Sequence, residues 1–193
     1  MSRDYFSMVP YKTFLKILNR LEEEGTLSAV SKGVYQINSE QNIDQDSAVL
    51  KEYSGDTRGI IVGHSMYRQY GISDYDDGFV DIYTRMIPDG THKNIGKYRL
   101  TGANLYYSRQ YRTLITTLEL IENAASIHDI DYLRYDEARK IGLKDYDIAS
   151  FKNIIEHIHY QYSTIVTLEM LLKDAGITDS LCVDIYQSID SGK

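Results

Sequence analysis

The chain has 193 residues, 42% hydrophobic and 25% charged, with a formal net charge of −7. This is the make-up of a soluble globular protein, large enough for one good-sized domain or a small module plus a medium one, and it excludes collagen-like, mucin-like and wholly disordered chains. No apolar run nears the roughly 20 residues of a membrane span, and the opening Met1-Ser-Arg-Asp-Tyr-Phe6 lacks the apolar core of a signal peptide. A single cysteine, Cys182, builds no internal disulfide framework and suits a reducing compartment, so the expected location is cytoplasmic, with no membrane partner.

The charge is unevenly spread. Residues 1–38 carry five basic and four acidic side chains, a net of +1, which leaves −8 for the rest. That asymmetry divides the chain into a head, residues 1–38, a polar linker, 39–58, and a body, 59–193.

The head opens with a helix from Pro10, a residue suited to a first helical turn. Phe14, Ile17, Leu18 and Leu21 fall at i, i+3, i+4 and i+7, one face of a helix, with Lys12, Lys16, Asn19, Arg20 and Glu23 opposite. Gly25 stops it. Thr26–Val30 and Val34–Ile37 flank Ser31-Lys32-Gly33, the pattern of a β-hairpin. The linker is polar and holds a short helical stretch around Ala48–Tyr53.

In the body, Gly59–Gly63 reads as a buried strand, His64–Tyr70 as a short helix ended by Gly71, and Phe79–Thr84 as a second strand. A turn at Pro88-Asp89-Gly90 leads to a strand through Ile95–Leu100, and Ala103–Tyr107 reads as one more. Helical spacing then takes over: Tyr111 to Ile121, Ile154 to Ile158, Ile165 to Leu172 closed by Gly176, and a last helix over Ile177–Ile189. The fold class expected is α+β: a truncated winged helix-turn-helix head, a mixed α/β, nucleotidyltransferase-like middle and a helical C-terminal part.

A helix with a basic, amide-bearing outer face followed by a basic-tipped hairpin has the layout of a winged helix-turn-helix, with the helix in the major groove and the hairpin on the backbone. Lys12, Lys16 and Arg20 would meet phosphates or guanine edges, Asn19 could read adenine, and Lys32 would touch a phosphate. The competing reading is a plain solvated helix face, and Glu22-Glu23-Glu24 would repel DNA if turned toward it. Nine residues precede Pro10, fewer than the one or two helices that stand before a recognition helix, so the head is expected to be trimmed or to lean on another domain or chain.

Tyr11-Lys-Thr-Phe-Leu-Lys-Ile-Leu-Asn-Arg-Leu-Glu-Glu-Glu-Gly25 followed by Val30-Ser-Lys-Gly-Val-Tyr-Gln-Ile37 resembles the head of AbiEi-like antitoxins of type IV toxin–antitoxin, or abortive-infection, systems. Arg20-Leu21, Gly25 and Gly33-Val34-Tyr35 carry the likeness, and Gly63-His-Ser65 to Tyr70-Gly71 looks like a later part of the same pattern. It covers about the first third of the chain well and the tail poorly. The resemblance implies a transcriptional autorepressor that binds the operator of its own operon through the head. It also implies a body that antagonises a nucleotidyltransferase-like toxin without a stable complex.

In the middle, Gly63-His64-Ser65 followed by Asp77 and Asp81-Ile82-Tyr83 is similar to the outline of nucleotidyltransferases. In those enzymes two carboxylates one residue apart on a strand share a face and hold Mg²⁺. Tyr83 stands where the second carboxylate would be, so no catalytic residue, metal or cofactor is expected, and Asp81 alone carries the alternative of an active nucleotidyltransferase-like enzyme. A second alternative is a protein-interaction module without DNA binding. His157 and His159 point to different sides of a helix, His64, His92 and His128 are scattered singles, and Cys182 reads as a small buried hydrophobe. Tyrosine occurs 18 times and tryptophan not at all, with clusters at Tyr67/Tyr70/Tyr75, Tyr106/Tyr107/Tyr111, Tyr132/Tyr135 and Tyr160/Tyr162. These are packing residues or a partner surface.

Overall fold

The computed structural model describes residues 9–31, 33–38 and 45–191. Two compact units divide the chain, Met1–Glu52 and Tyr53–Lys193, and the architecture is mixed α+β.

In the first unit, α1 spans Tyr11–Glu23. Its first turn closes with the Phe14 amide donating to the Pro10 carbonyl at 3.0 Å. Leu18 is its buried residue, and Phe14 and Leu21 are half-buried. Ile17, expected on the same inner face, is 46% exposed. Position i+3 from Phe14 lies at the margin of the apolar stripe, and only the centre of that stripe is covered. Strands β1 (Leu27–Ser31) and β2 (Val34–Ile37) pair antiparallel around the turn, as the alternation of the sequence predicts. Asn38 ties the open end of this hairpin. Its Nδ2 donates to the Gly25 carbonyl, its Oδ1 accepts from the Ser28 hydroxyl, and its amide donates to the Thr26 carbonyl, each at 2.8 Å. Helix α2 (Gln45–Tyr53) follows within the stretch read as a linker.

The second unit is a four-stranded sheet backed by helices. Strands β3 (Gly59–Val62), β4 (Val80–Thr84), β5 (His92–Ile95) and β6 (Tyr98–Gly102) lie in the order β3-β4-β6-β5. The central pair, β4 and β6, is parallel, and each is antiparallel to its outer neighbour. Helix α3 (Gly63–Gln69) leaves β3 without a loop. Then come α4 (Arg109–Glu122), α5 (Tyr132–Ala138), α6 (Ile148–His157), α7 (Tyr162–Asp174) and α8 (Cys182–Asp190).

Three expectations are corrected here. The run Ile95–Leu100 is not one strand but the junction of β5 and β6, because Gly96 takes φ +54 and turns the chain back on itself. Ala103–Tyr107 is irregular rather than a strand. It packs inward through Ala103, Leu105 and Tyr107, each 1% exposed, so its alternation comes from burial without a ladder. The last helix begins at Cys182 rather than Ile177, since Leu181 sits in the left-handed region at φ 53 and interrupts any helix running through it.

Helix α4 is central to this unit. Leu114, Ile115 and Leu118 enter a core with Ile60, Val62, Phe151, Ile154, Ile165, Leu168 and Leu172. Leu120 enters a second cluster with Met66, Tyr67, Ile72, Ile127 and Ala138. A helix buried on two sides places whatever polar residues it carries inside the protein. Side-chain caps open α5 and α6: Asp131 accepts from the Leu133 and Arg134 amides, and Asp147 accepts from the Ser150 amide at 3.0 Å. Among the described residues no helix is long and apolar enough to cross a membrane.

Candidate functional site

Lys12, Lys16, Asn19 and Arg20 are all exposed on α1, at the i, i+4, i+7 and i+8 spacing that puts them along one side. Arg20 is engaged locally, its Nε 2.7 Å from Glu24 Oε1. Both side chains face water, so this pair contributes little stability and can exchange for another anion. Lys32 lies outside the described residues.

The second unit contains a polar cavity of about 580 Å³. Its construction starts with the register of β4 and β6, which sets Asp81 directly beside Arg99. The guanidinium grips Asp81 with two bonds, Nε to Oδ1 at 2.6 Å and Nη2 to Oδ2 at 2.5 Å. Nη2 also reaches Asp77 Oδ2 at 3.0 Å. The guanidinium carbon stands 4.5 Å from the centre of the Phe79 ring. Gly63 opens α3 at φ +64, where a Cβ would come to 3.0 Å from Asp81 Oδ2. Glycine is therefore favoured both by the left-handed backbone and by the carboxylate beside it.

Two residues along β4, on the same face, Tyr83 donates its hydroxyl to Glu119 Oε1 at 3.0 Å. A carboxylate thus reaches the cavity from α4 next to the strand position where the sequence offers a tyrosine. Glu119 is 5% exposed. Burial pushes its carboxyl up to about 7, reinforced by Glu122 and Asp81 and opposed by Tyr83 and Tyr160. Asn123 Nδ2 adds a contact to Oε2 at 3.3 Å. The same burial raises the phenols of Tyr83 and Tyr160, which stay neutral.

Glu122, one residue on from α4's Ile121, accepts from the Gln161 amide at 2.9 Å and the Thr164 hydroxyl at 2.6 Å, both on Oε2. Tyr160 is 1% exposed and its hydroxyl is buried without a hydrogen bond. It stands close enough to Glu119 to favour the ionised carboxylate, but the geometry completes no bond between them. His64 Nδ1 is likewise buried and unpartnered.

The histidines read as scattered singles are not all separate. His64 stacks edge-on against Tyr75 at 4.9 Å, and His128 lies 4.5 Å from the same ring. His159 also lines the cavity, while His157 Nδ1 turns away to Asp89 Oδ2 at 2.9 Å. Cys182 is fully buried, and burial raises its thiol to about 11, as expected of an inert small hydrophobe. Among the described residues no group of three or more His, Cys, Asp or Glu is arranged to hold a metal ion.

Of the cavity residues, Gly63, His64, Asp77, Asp81 and Tyr83 belong to the motif visible in the sequence, Asp77 from the loop before β4. Tyr160 stands out only as one of the clustered tyrosines, and Arg99 and Glu119 belong to no motif. The one signal for Glu119 is its place four residues after Ile115 and directly after Leu118, a carboxylate on an apolar helix face. Comparison of the chain with protein-family models, with curated proteins and with solved structures finds no match.

Proposed function

We propose that the chain is an antitoxin-like transcriptional regulator of a type IV system, which binds operator DNA through its head and counters a nucleotidyltransferase-like toxin through its body. The observation that carries the DNA-binding part is α1. It exposes Lys12, Lys16, Asn19 and Arg20 along one side and runs directly into an antiparallel hairpin. Phosphate contacts from Lys12, Lys16 and Arg20 would position the helix, and Asn19 would supply base readout. In this reading Lys32 belongs to the wing and touches a phosphate. The net of +1 on residues 1–38 against −8 elsewhere favours approach by the head. The antitoxin part rests on the resemblance of the first third of the chain.

A gel shift of the chain's own promoter fragment at fixed salt tests the residue assignment. The Lys16→Ala/Arg20→Ala variant is expected to lose most of the shift. Equal affinity of variant and parent would refute it.

The second reading is a nucleotidyltransferase-like enzyme using Asp81, favoured by the position of Asp81 in the wall of the 580 Å³ cavity. Against it, Arg99 occupies both carboxylate oxygens that a Mg²⁺ ion would need. Mg²⁺-dependent transfer of label from a nucleoside triphosphate, lost in Asp81→Ala, would establish this reading. No transfer from any of the four triphosphates would remove it.

A further inference from the structure

The cavity between β4, β6, α4 and Tyr160 has a charge balance that selects its occupant. Four carboxylates line it, Asp77, Asp81, Glu119 and Glu122, against one guanidinium, Arg99. Arg99 is already spent on Asp77 and Asp81. One negative charge of that trio therefore remains uncompensated, and Glu122 adds a second. Phosphorylated and carboxylated ligands would meet this field with no further lysine or arginine among the described lining residues to receive them, only the imidazoles of His64 and His159.

A second observation, independent of the charges, points to a missing partner. Tyr160 lines the cavity, and its hydroxyl is buried and makes no hydrogen bond. Leaving a buried hydroxyl unpaired costs free energy, and native proteins avoid it unless a ligand or water completes the site. His64, whose Nδ1 is likewise buried and unpartnered, lines the same space. Glu122 takes both of its bonds on Oε2, and the volume is that of an ordinary small-molecule site.

We infer that this cavity binds an organic cation, an alkylammonium or guanidinium group, with Glu119 and Glu122 receiving its N–H donors and the Tyr160 hydroxyl accepting a further one. The aromatic wall of Tyr67, Tyr83 and Tyr160 gives the carbon chain of such a ligand an apolar surface and its charge an electron-rich ring. The same chemistry comes from two sources: a free small amine, or a lysine or arginine side chain presented by another protein. The site is independent of DNA binding, so each can fail alone.

Isothermal titration calorimetry of the full chain with agmatine, with the blocked peptide acetyl-Gly-Arg-Gly-amide and with adenosine monophosphate tests the assignment. Saturable binding of agmatine supports a free amine, and binding of the peptide alone supports a presented side chain. Glu119→Gln is expected to weaken either by tenfold or more. Tyr160→Phe, which keeps the ring and removes the unpaired hydroxyl, is expected to weaken it several-fold with a melting temperature no lower than the parent's. Absence of heat with both cations, binding of the nucleotide in their place, or equal affinity in the parent and both variants would overturn the proposal.

Discussion

Glu119→Gln should change how the stability of this protein depends on pH. Glu119 is a carboxyl on a helix buried on two sides, and it is shifted from an ordinary 4.5 to about 7, first by desolvation. Between those values the native state holds a proton that the unfolded chain releases. Native protein therefore binds more protons, and stability falls as pH rises through the window, levelling off above it. At about 1.4 kcal/mol per pH unit, the full loss is about 3 kcal/mol, most of which falls between pH 5 and pH 8. Glutamine keeps an oxygen for the Tyr83 hydroxyl and cannot ionise. The variant should therefore gain about 2–3 kcal/mol on the parent between pH 5 and pH 8. Asp81 and Tyr83 of β4, Tyr67 of α3, Glu122 of α4 and Tyr160 face Glu119, and Arg99, His64 and His159 share the cavity. All are present in both proteins, so the difference isolates Glu119. Urea unfolding followed by tyrosine fluorescence at the two pH values measures it, helped by the absence of tryptophan. A stability difference that is the same at pH 5 and pH 8 would refute the reasoning.

Three further outcomes follow from the packing. Leu118→Ala empties a fully buried position in the main core and should cost about 2–5 kcal/mol in urea unfolding. Gly63→Ala puts a methyl in a left-handed backbone and against Asp81; a loss of about 1–2 kcal/mol is expected, read as a lower melting temperature. Arg99→Met leaves Asp77 and Asp81 facing each other without their cation. With these side chains 41%, 21% and 30% exposed, screening holds the expected loss to about 1 kcal/mol, and Asp81→Asn in the same background should restore part of it.

Local periodicity carried much of the fold, and the site resisted it. Helix α1 and the hairpin are legible because a 3.6-residue stripe is followed by Gly25 and then by two alternating runs. The β5–β6 junction is not, because one glycine inside an otherwise strand-like run decides between a strand and a turn. Helix α5 left no pattern, since Tyr132 and Leu133 are 75% and 70% exposed and only Ala138 is buried. The cavity is assembled by pairings 18 residues apart, between Asp81 and Arg99, and 36 apart, between Tyr83 and Glu119. Such contacts depend on strand order, which no local pattern encodes. The motif around Asp81 marked the right strand, but the partner that neutralises it comes from the parallel neighbour.

The central claim is that the helix and hairpin of the head hold DNA by phosphate contacts. Fluorescence anisotropy of a labelled promoter fragment, titrated with the chain between 50 and 200 mM salt, tests it most directly. Each phosphate contact contributes about −0.9 to the slope of log affinity against log salt. The account predicts a slope of roughly −3 to −4 for the parent from Lys12, Lys16, Arg20 and Lys32. Lys16→Ala/Arg20→Ala should be shallower by about 2 units. Binding that is absent at 50 mM salt, or a slope unchanged by the double substitution, would contradict it.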